Sequence, residues 1–240
     1  MPDLEIFDDP DIARVLCVVA HPDDMEYGAS AAVAEWTSRG IEVAYLLLTS
    51  GEAGIRDRDP AQVGPLRAEE QRRACARVGV HDLTILDLPD GVLQPDLATR
   101  RHVARRIRQV RPDAILCTTW ELDVPWGLNH ADHRAAGLAT ADAIRDADNP
   151  WVFRELREQD GLEPWSTRWL LVTGMTPTHA IELGGDAVEK AVASLEAHEA
   201  YLAALPGHPE PRELVTGIVT GGGEAAGVDR ALGVRAIRMG

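Results

Sequence analysis

A chain of 240 residues with 45% hydrophobic side chains, 21 glycines and 15 prolines can bury a substantial core, which excludes collagen-like, low-complexity and intrinsically disordered classes. The formal net charge of −15 argues against nucleic acid or an anionic membrane as partner, because a phosphate-bearing surface demands a basic footprint. Cys17, Cys75 and Cys117 are widely and irregularly spaced, so they read as small buried apolar residues and make neither a disulfide framework nor a paired metal site.

The acidic start, MPDLEIFDDPD, lacks the positive charge and apolar run of a signal peptide. No apolar run approaches the ~20 residues of a membrane span. The expectation is a soluble, cytoplasmic protein. Residues 15–20 (VLCVVA) are apolar and β-branched, the pattern of a strand buried on both faces, and the run stops at His21-Pro22. Residues 29–39 read as a helix closed by Gly40, and residues 41–49 as a second strand. A helix over 65–78 has Pro65 at its start and Gly79 past its end; a third strand, 83–88, ends at the Pro89-Asp90-Gly91 turn. A helix over 95–110, a fourth strand over 113–119, a helix over 131–147 and a fifth strand over 169–173 follow, and residues 150–164 carry no clear element. Residues 186–205 read as one long helix.

Strand and helix alternate for at least four cycles, which predicts an α/β fold. The expected architecture is a Rossmann-like, doubly wound, mostly parallel sheet in the order 3-2-1-4-5, with helices on both faces. Neither an internal repeat nor a domain linker is visible, so one domain over 1–240 is expected. Its core covers about 14–205; a C-terminal extension, 206–240, contains Gly221-Gly222-Gly223 and reads as an appended hairpin or tail.

Two polar segments stand out: Ala20-His21-Pro22-Asp23-Asp24-Met25-Glu26 after the first strand, and Asn129-His130-Ala131-Asp132-His133 after the fourth. Each alone is equally well explained as ordinary helix-start chemistry, with Asp as N-cap, Pro in the first turn and a solvated His. Topology favours a shared site. In the expected order the first and fourth strands are neighbours where the winding reverses, and loops leaving their carboxyl ends flank the crevice in which ligands bind.

In that crevice His21 and Asp24, three residues apart, combine with His133 into a two-histidine, one-carboxylate set. Three such ligands with an open fourth position describe a catalytic zinc site, and the open position takes water, whose pKa zinc lowers towards ~7. Iron suits the same ligands. Asp23 is placed to accept the proton of that water. His130 is placed to stabilise an oxyanion or to protonate a leaving amine, and Asp132 to orient one of the histidines. The set suits metal-assisted hydrolysis of a carbonyl compound.

The two motifs, Ala-His-Pro-Asp-Asp-x-Glu and His-x-Asp-His, resemble those of the PIG-L/LmbE-like zinc-dependent N-acetylglucosaminyl deacetylases. The resemblance extends to Ser50-Gly51-Glu52-x-Gly54, to Arg67-x-x-Glu70 and to the strand and turn at 83–91; it covers 14 to about 205 and thins after 140. It implies removal of an N-acetyl group from an N-acetylglucosaminyl-type compound or a related amino-sugar conjugate, including sugar intermediates of low-molecular-weight thiol pathways. By this resemblance His21, Asp24 and His133 hold Zn2+, Asp23 is the general base and His130 the transition-state stabiliser. The implied partner is a small-molecule amino sugar, and a homo-oligomer is left open. One departure is visible. The family's His-x-Ser-Gln element reads His198-Glu199-Ala200-Tyr201 here, which leaves the contacts from that helix open.

An amidase of the same family, cleaving a larger acyl group or a thiol conjugate, would share every catalytic residue. A non-catalytic Rossmann-like binding module is disfavoured, because the first strand–helix turn reads HPDDMEYG, without G-x-G-x-x-G or a Walker lysine, and its adjacent aspartates repel a pyrophosphate. Arg56 and Arg67 are candidates for binding a substrate hydroxyl or phosphate, with Arg67 equally suited to pairing with Glu70. The aromatic stretch 120–128 (WELDVPWGL) shapes the pocket or packs locally. His179, His198 and His208 read as surface or packing residues, and His81 and His102 carry no signal.

Overall fold

The apolar run after residue 14 becomes a doubly covered strand at the heart of the sheet. The computed structural model describes residues 4–8 and 10–239; residues 1–3 and Asp9 of the acidic start, and Gly240, lie outside them. The first elements are β1 (Glu5–Ile6), β2 (Arg14–Val19), α1 (Asp24–Gly28), α2 (Ser30–Ser38) and β3 (Glu42–Leu47). Next come α3 (Pro60–Arg77), β4 (Asp82–Ile85), α4 (Leu97–Val110) and β5 (Ala114–Thr118). A two-stranded hairpin, β6 (Asp123–Val124) and β7 (Gly127–Leu128), precedes α5 (Ala131–Asp148), α6 (Arg154–Glu158) and β8 (Trp169–Thr173). The last elements are β9 (His179–Glu182), α7 (Ala187–Glu196), α8 (Glu199–Ala203), α9 (Pro211–Ala226) and β10 (Ala231–Arg238).

Alternate residues of β2 supply both cores. Val15, Cys17 and Val19 face a layer containing Ala32 and Val33 of α2, Ala191 and Leu195 of α7, and Val219 of α9. Leu16 and Val18 face the opposite layer, with Val103 and Ile107 of α4 and Ala136 and Ile144 of α5. A strand buried on both sides has no polar face to alternate with, hence its continuous apolar run. The cysteines are free and buried, as expected. Among the described residues, no helix is long and apolar enough to cross a membrane.

The sheet has eight strands in the order β1-β9-β10-β8-β5-β2-β3-β4, which differs from the five-strand order expected. β8, β5, β2, β3 and β4 pair in parallel, whereas three further strands extend the sheet past β8. Of these, β10 runs antiparallel to both β8 and β9. The adjacency that positions the site, β2 beside β5, is present.

The expected hairpin or tail at 206–240 is instead the long helix α9 followed by β10, an inner strand between β8 and β9. The glycines misled because they serve close approach here, not a loop. A Cβ on Gly222 would lie 2.1 Å from the Ala231 carbonyl oxygen, and one on Gly223 2.6 Å from that of Asp229. The long helix expected over 186–205 is broken into α7 and α8, and the break turns His198 fully inward. The third helix begins at Pro60 and encloses Pro65, because the Asp59 side chain accepts the Ala61 N–H at 2.9 Å and caps an earlier start.

Candidate active site

The carboxyl ends of β2 and β5 carry the two polar segments into one cleft of about 350 Å3. Asp24 opens α1, and its Oδ2 accepts the N–H groups of Ala20 (3.0 Å) and His21 (2.9 Å). This folds the carboxylate back over the strand end and leaves Oδ1 facing His133 Nε2 at 3.1 Å. His133 lies in the first turn of α5, which sits close on β5: a Cβ on Gly137 would lie 2.6 Å from the Thr118 carbonyl oxygen. Ligand atoms of His21, Asp24 and His133 all lie within 4.8 Å of one another, close enough to share one cation. The sequence-derived trio is therefore brought together.

Hydrogen bonding fixes which imidazole nitrogens face that point. Asn129 Nδ2 donates to the carbonyls of Thr119 (2.8 Å) and Glu121 (3.0 Å), so its Oδ1 must be the atom 3.2 Å from His133 Nδ1. Nδ1 then carries a proton, and Nε2 is the nitrogen that faces Asp24 and would coordinate a cation. His21 is held in the opposite sense. Its Nε2 lies 2.9 Å from Asp90 Oδ1 and 3.3 Å from Asp132 Oδ2, whereas Nδ1 faces Asp24 Oδ2 at 3.7 Å. A histidine whose second nitrogen donates to a carboxylate is the usual arrangement around a metal, and the donor set fits a zinc-like cation on that ground.

Asp132 also groups with His21 and His130, but its oxygens accept the backbone N–H groups of Gly91 (2.7 Å) and Leu93 (3.1 Å). It is thereby tied to the turn after β4, in a position to orient His21. Asp90, in the same turn, was read from sequence only as a turn residue. Its signal is visible in retrospect as a carboxylate in a loop beside the crevice.

Asp23 sits 4% exposed with φ of 87°, a left-handed conformation uncommon for a side chain other than glycine. Gln71 Oε1 accepts its N–H at 2.9 Å, and Arg67 Nη2 donates to its Oδ1 at 3.0 Å. Arg67 also donates to the carbonyls of Pro22 (2.5 Å) and Gly51 (3.1 Å). Arg67 is 2% exposed and lines the cleft, and its guanidinium holds Asp23 from there. Glu70, its alternative partner, instead accepts the Ala200 N–H at 2.6 Å. Arg56 is exposed and is not among the described residues lining the cleft.

The electrostatics follow from burial opposed by pairing. Burial pushes the Asp23 carboxyl up to about 6, against the pull of Arg67. Burial acts the same way on Asp24, but His133 and His21 outweigh it and hold Asp24 well below the carboxylate range. On His21 burial opposes the charge, yet Asp24 and the hydrogen bonds of Asp132, Asp24 and Asp90 push it up to about 12. His130 caps α5 with its ring centroid 5.5 Å from that of His21 and 5.4 Å from that of His133; burial and the charges on these two rings push it down.

The remaining histidines divide as follows. His198 is buried, with Nε2 3.6 Å from Glu26 Oε2, beneath the loop that carries Asp23. His208 Nε2 meets the Tyr27 hydroxyl at 2.6 Å, and His179 packs edge-on against Phe7. The 120–128 stretch forms the small hairpin and supports Asn129, whose N–H reaches the Leu122 carbonyl at 2.8 Å. Trp126 is 69% exposed and is not among the described residues lining the cleft.

A family model described as PIG-L, GlcNAc-PI de-N-acetylase, matches residues 16–144. The chain belongs to the PIG-L family. The matched segment contains the trio His21, Asp24 and His133, together with Asp23 and His130. Diacetylchitobiose deacetylase of Thermococcus kodakarensis is 33% identical over 160 residues, covering 65% of this chain and 58% of that protein. The 1D-myo-inositol 2-acetamido-2-deoxy-alpha-D-glucopyranoside deacetylase of Thermobifida fusca is 30% identical over 177 residues, covering 60% of each. The chain thus spans about three-fifths of the length of these curated PIG-L relatives. Among solved structures, N,N'-diacetylchitobiose deacetylase from Pyrococcus horikoshii superposes with a TM-score of 0.83 at 22% identity, over 95% of this chain and 84% of that one. That likeness establishes the shared fold.

Proposed function

We propose that this PIG-L protein is a zinc-dependent amide hydrolase that removes the N-acetyl group of an N-acetylglucosaminyl-type compound or related amino-sugar conjugate. The observation that carries the reading is the convergence of His21, Asp24 and His133 beside a buried carboxylate that holds no ligand position, Asp23. The relatives named as deacetylases of acetamido sugars support the substrate class.

His21, Asp24 and His133 would hold the ion. A zinc ion bound there supplies Lewis-acid polarisation of a carbonyl and a lowered pKa for water. Asp23 accepts the proton of the attacking water and delivers it to the departing nitrogen, so that amide and water become amine and acetic acid. Its position near 6 leaves it ionised at neutral pH yet basic enough to take the proton. His130, which also lines the cleft, would stabilise the negative charge that develops on the amide oxygen. Asp132 and Asp90 orient the His21 ring through its Nε2.

The test is a screen of zinc-loaded protein against N-acetylglucosamine conjugates, with detection of free amine and identification of the acid released. Equimolar amine and acetate are expected. A larger acid would reassign the protein as an amidase, and release of no amine from any amino-sugar amide would overturn the reading.

A further inference from the structure

With the reacting end of the cleft occupied by the histidines and Asp23, the rest of the substrate must lie against the remaining walls. Two of these are aromatic: Tyr27 of α1 and Tyr201 of α8. Both are half-buried and both are braced from behind. The Tyr27 hydroxyl meets His208 Nε2 at 2.6 Å, with the His208 ring edge-on at 5.6 Å. The Tyr201 ring lies 3.9 Å from the Arg67 guanidinium carbon. Beside that guanidinium lie Gly51 and Gly54, where an added Cβ would come within 2.3 and 2.4 Å of Arg67 Nη1. The two glycines thus leave the guanidinium room to lie against the Tyr201 ring at the cleft. Tyr201 and His208 lie beyond residue 144, outside the matched segment, and Tyr201 ends the His198-Glu199-Ala200-Tyr201 element.

We propose that Tyr27 and Tyr201 form a preorganised wall that receives the pyranose ring attached to the scissile amide and makes a sugar ring a requirement for tight binding. The inference rests on the amino-sugar reading above and deepens it. A pyranose offers an apolar C–H face to an aromatic ring and hydroxyls to a phenol, and tyrosine provides both surfaces on a side chain with little freedom to lose. Bracing by His208 and Arg67 places the rings before the ligand arrives, which concentrates the gain in ring recognition.

The experiment measures equilibrium binding, independently of turnover, by ligand-observed NMR with two probes: N-acetylglucosamine and ring-free N-acetylethanolamine. The wild-type protein is expected to prefer the sugar by about tenfold, the scale of a well-placed aromatic contact. Tyr201→Ala and Tyr27→Ala should each reduce this preference to about twofold, whereas Tyr201→Phe keeps most of it. Zinc content and circular dichroism identify any variant that fails to fold, and the other tyrosine then carries the test. Absence of preference in the wild type, or its survival in both alanine variants, overturns the proposal. Amine release, measured separately, decides the hydrolase reading: sugar preference without hydrolysis would sink that reading alone, and hydrolysis without sugar preference would sink only the wall.

Discussion

Arg67 and Asp23 form an ion pair 3.0 Å long whose side chains are 2% and 5% exposed. The guanidinium spans three acceptors, so removing it strands a buried carboxylate and the Pro22 carbonyl together, while the Gly51 carbonyl keeps the Gly54 N–H. Arg67→Ala is expected to cost roughly 3–5 kcal/mol of stability, read by urea unfolding, and to lower kcat far more than it raises KM. Lysine cannot reproduce the fork and should not rescue the loss. A rise in KM with kcat intact would return Arg67 to the substrate contact that its sequence position suggested.

Gly54 tests the same pair through Arg67 Nη1. A Cβ there would approach Arg67 Nη1 to 2.4 Å, and Gly54 has no positive φ to complicate the change. Gly54→Ala should push the guanidinium off Asp23, destabilise the protein by about 1–3 kcal/mol and reduce turnover without removing bound zinc.

Metal retention separates the ligands from the base. His133→Ala should lose zinc, and Asn129→Ala, which frees the His133 tautomer, should weaken it by about 10–100-fold in a chelator competition. Asp23→Asn should keep about one zinc per chain and lose hydrolysis by ~10²–10⁴-fold.

The cysteine thiols offer a pH-based check of the core. Burial pushes Cys75 and Cys117 up to about 12 and Cys17 well above the thiol range. A thiol raised in this way stays protonated through mildly alkaline pH, and only the thiolate reacts. A disulfide reagent at pH 8 should therefore find none of these thiols in the native protein and all three in denaturant.

Gly222→Ala addresses the fold alone. The added methyl group would meet the Ala231 carbonyl oxygen at 2.1 Å, a backbone atom that cannot swing aside. Destabilisation of at least ~1–3 kcal/mol by thermal or urea unfolding is expected, with zinc content unchanged while the protein is folded.

Much of this was legible in the chain itself. A buried parallel strand must be apolar on both faces, so the run at 15–20 declared its own place, and alternation with helices required crossovers. Ligand chemistry was equally local: His21 and Asp24 are three residues apart, and His130 and His133 share one helix start. Other features were misread because one residue type serves two purposes. Gly222 and Gly223 resemble loop glycines in composition, but here they allow α9 to lie on the chain leading into β10.

What sequence alone determined was the presence of the candidate site residues and the neighbouring strands that carry them, because periodicity and short-range spacing are properties of adjacent residues. Tertiary structure decided what each part touches. Arg67, a candidate substrate contact, lines the cleft and also clamps Asp23, Asp90 joined Asp132 on His21, and Tyr201 became a cleft wall. These relations join positions 40 to 180 residues apart, and only the packing of helices on the sheet, driven by the burial of both of its faces, brings them within bonding distance.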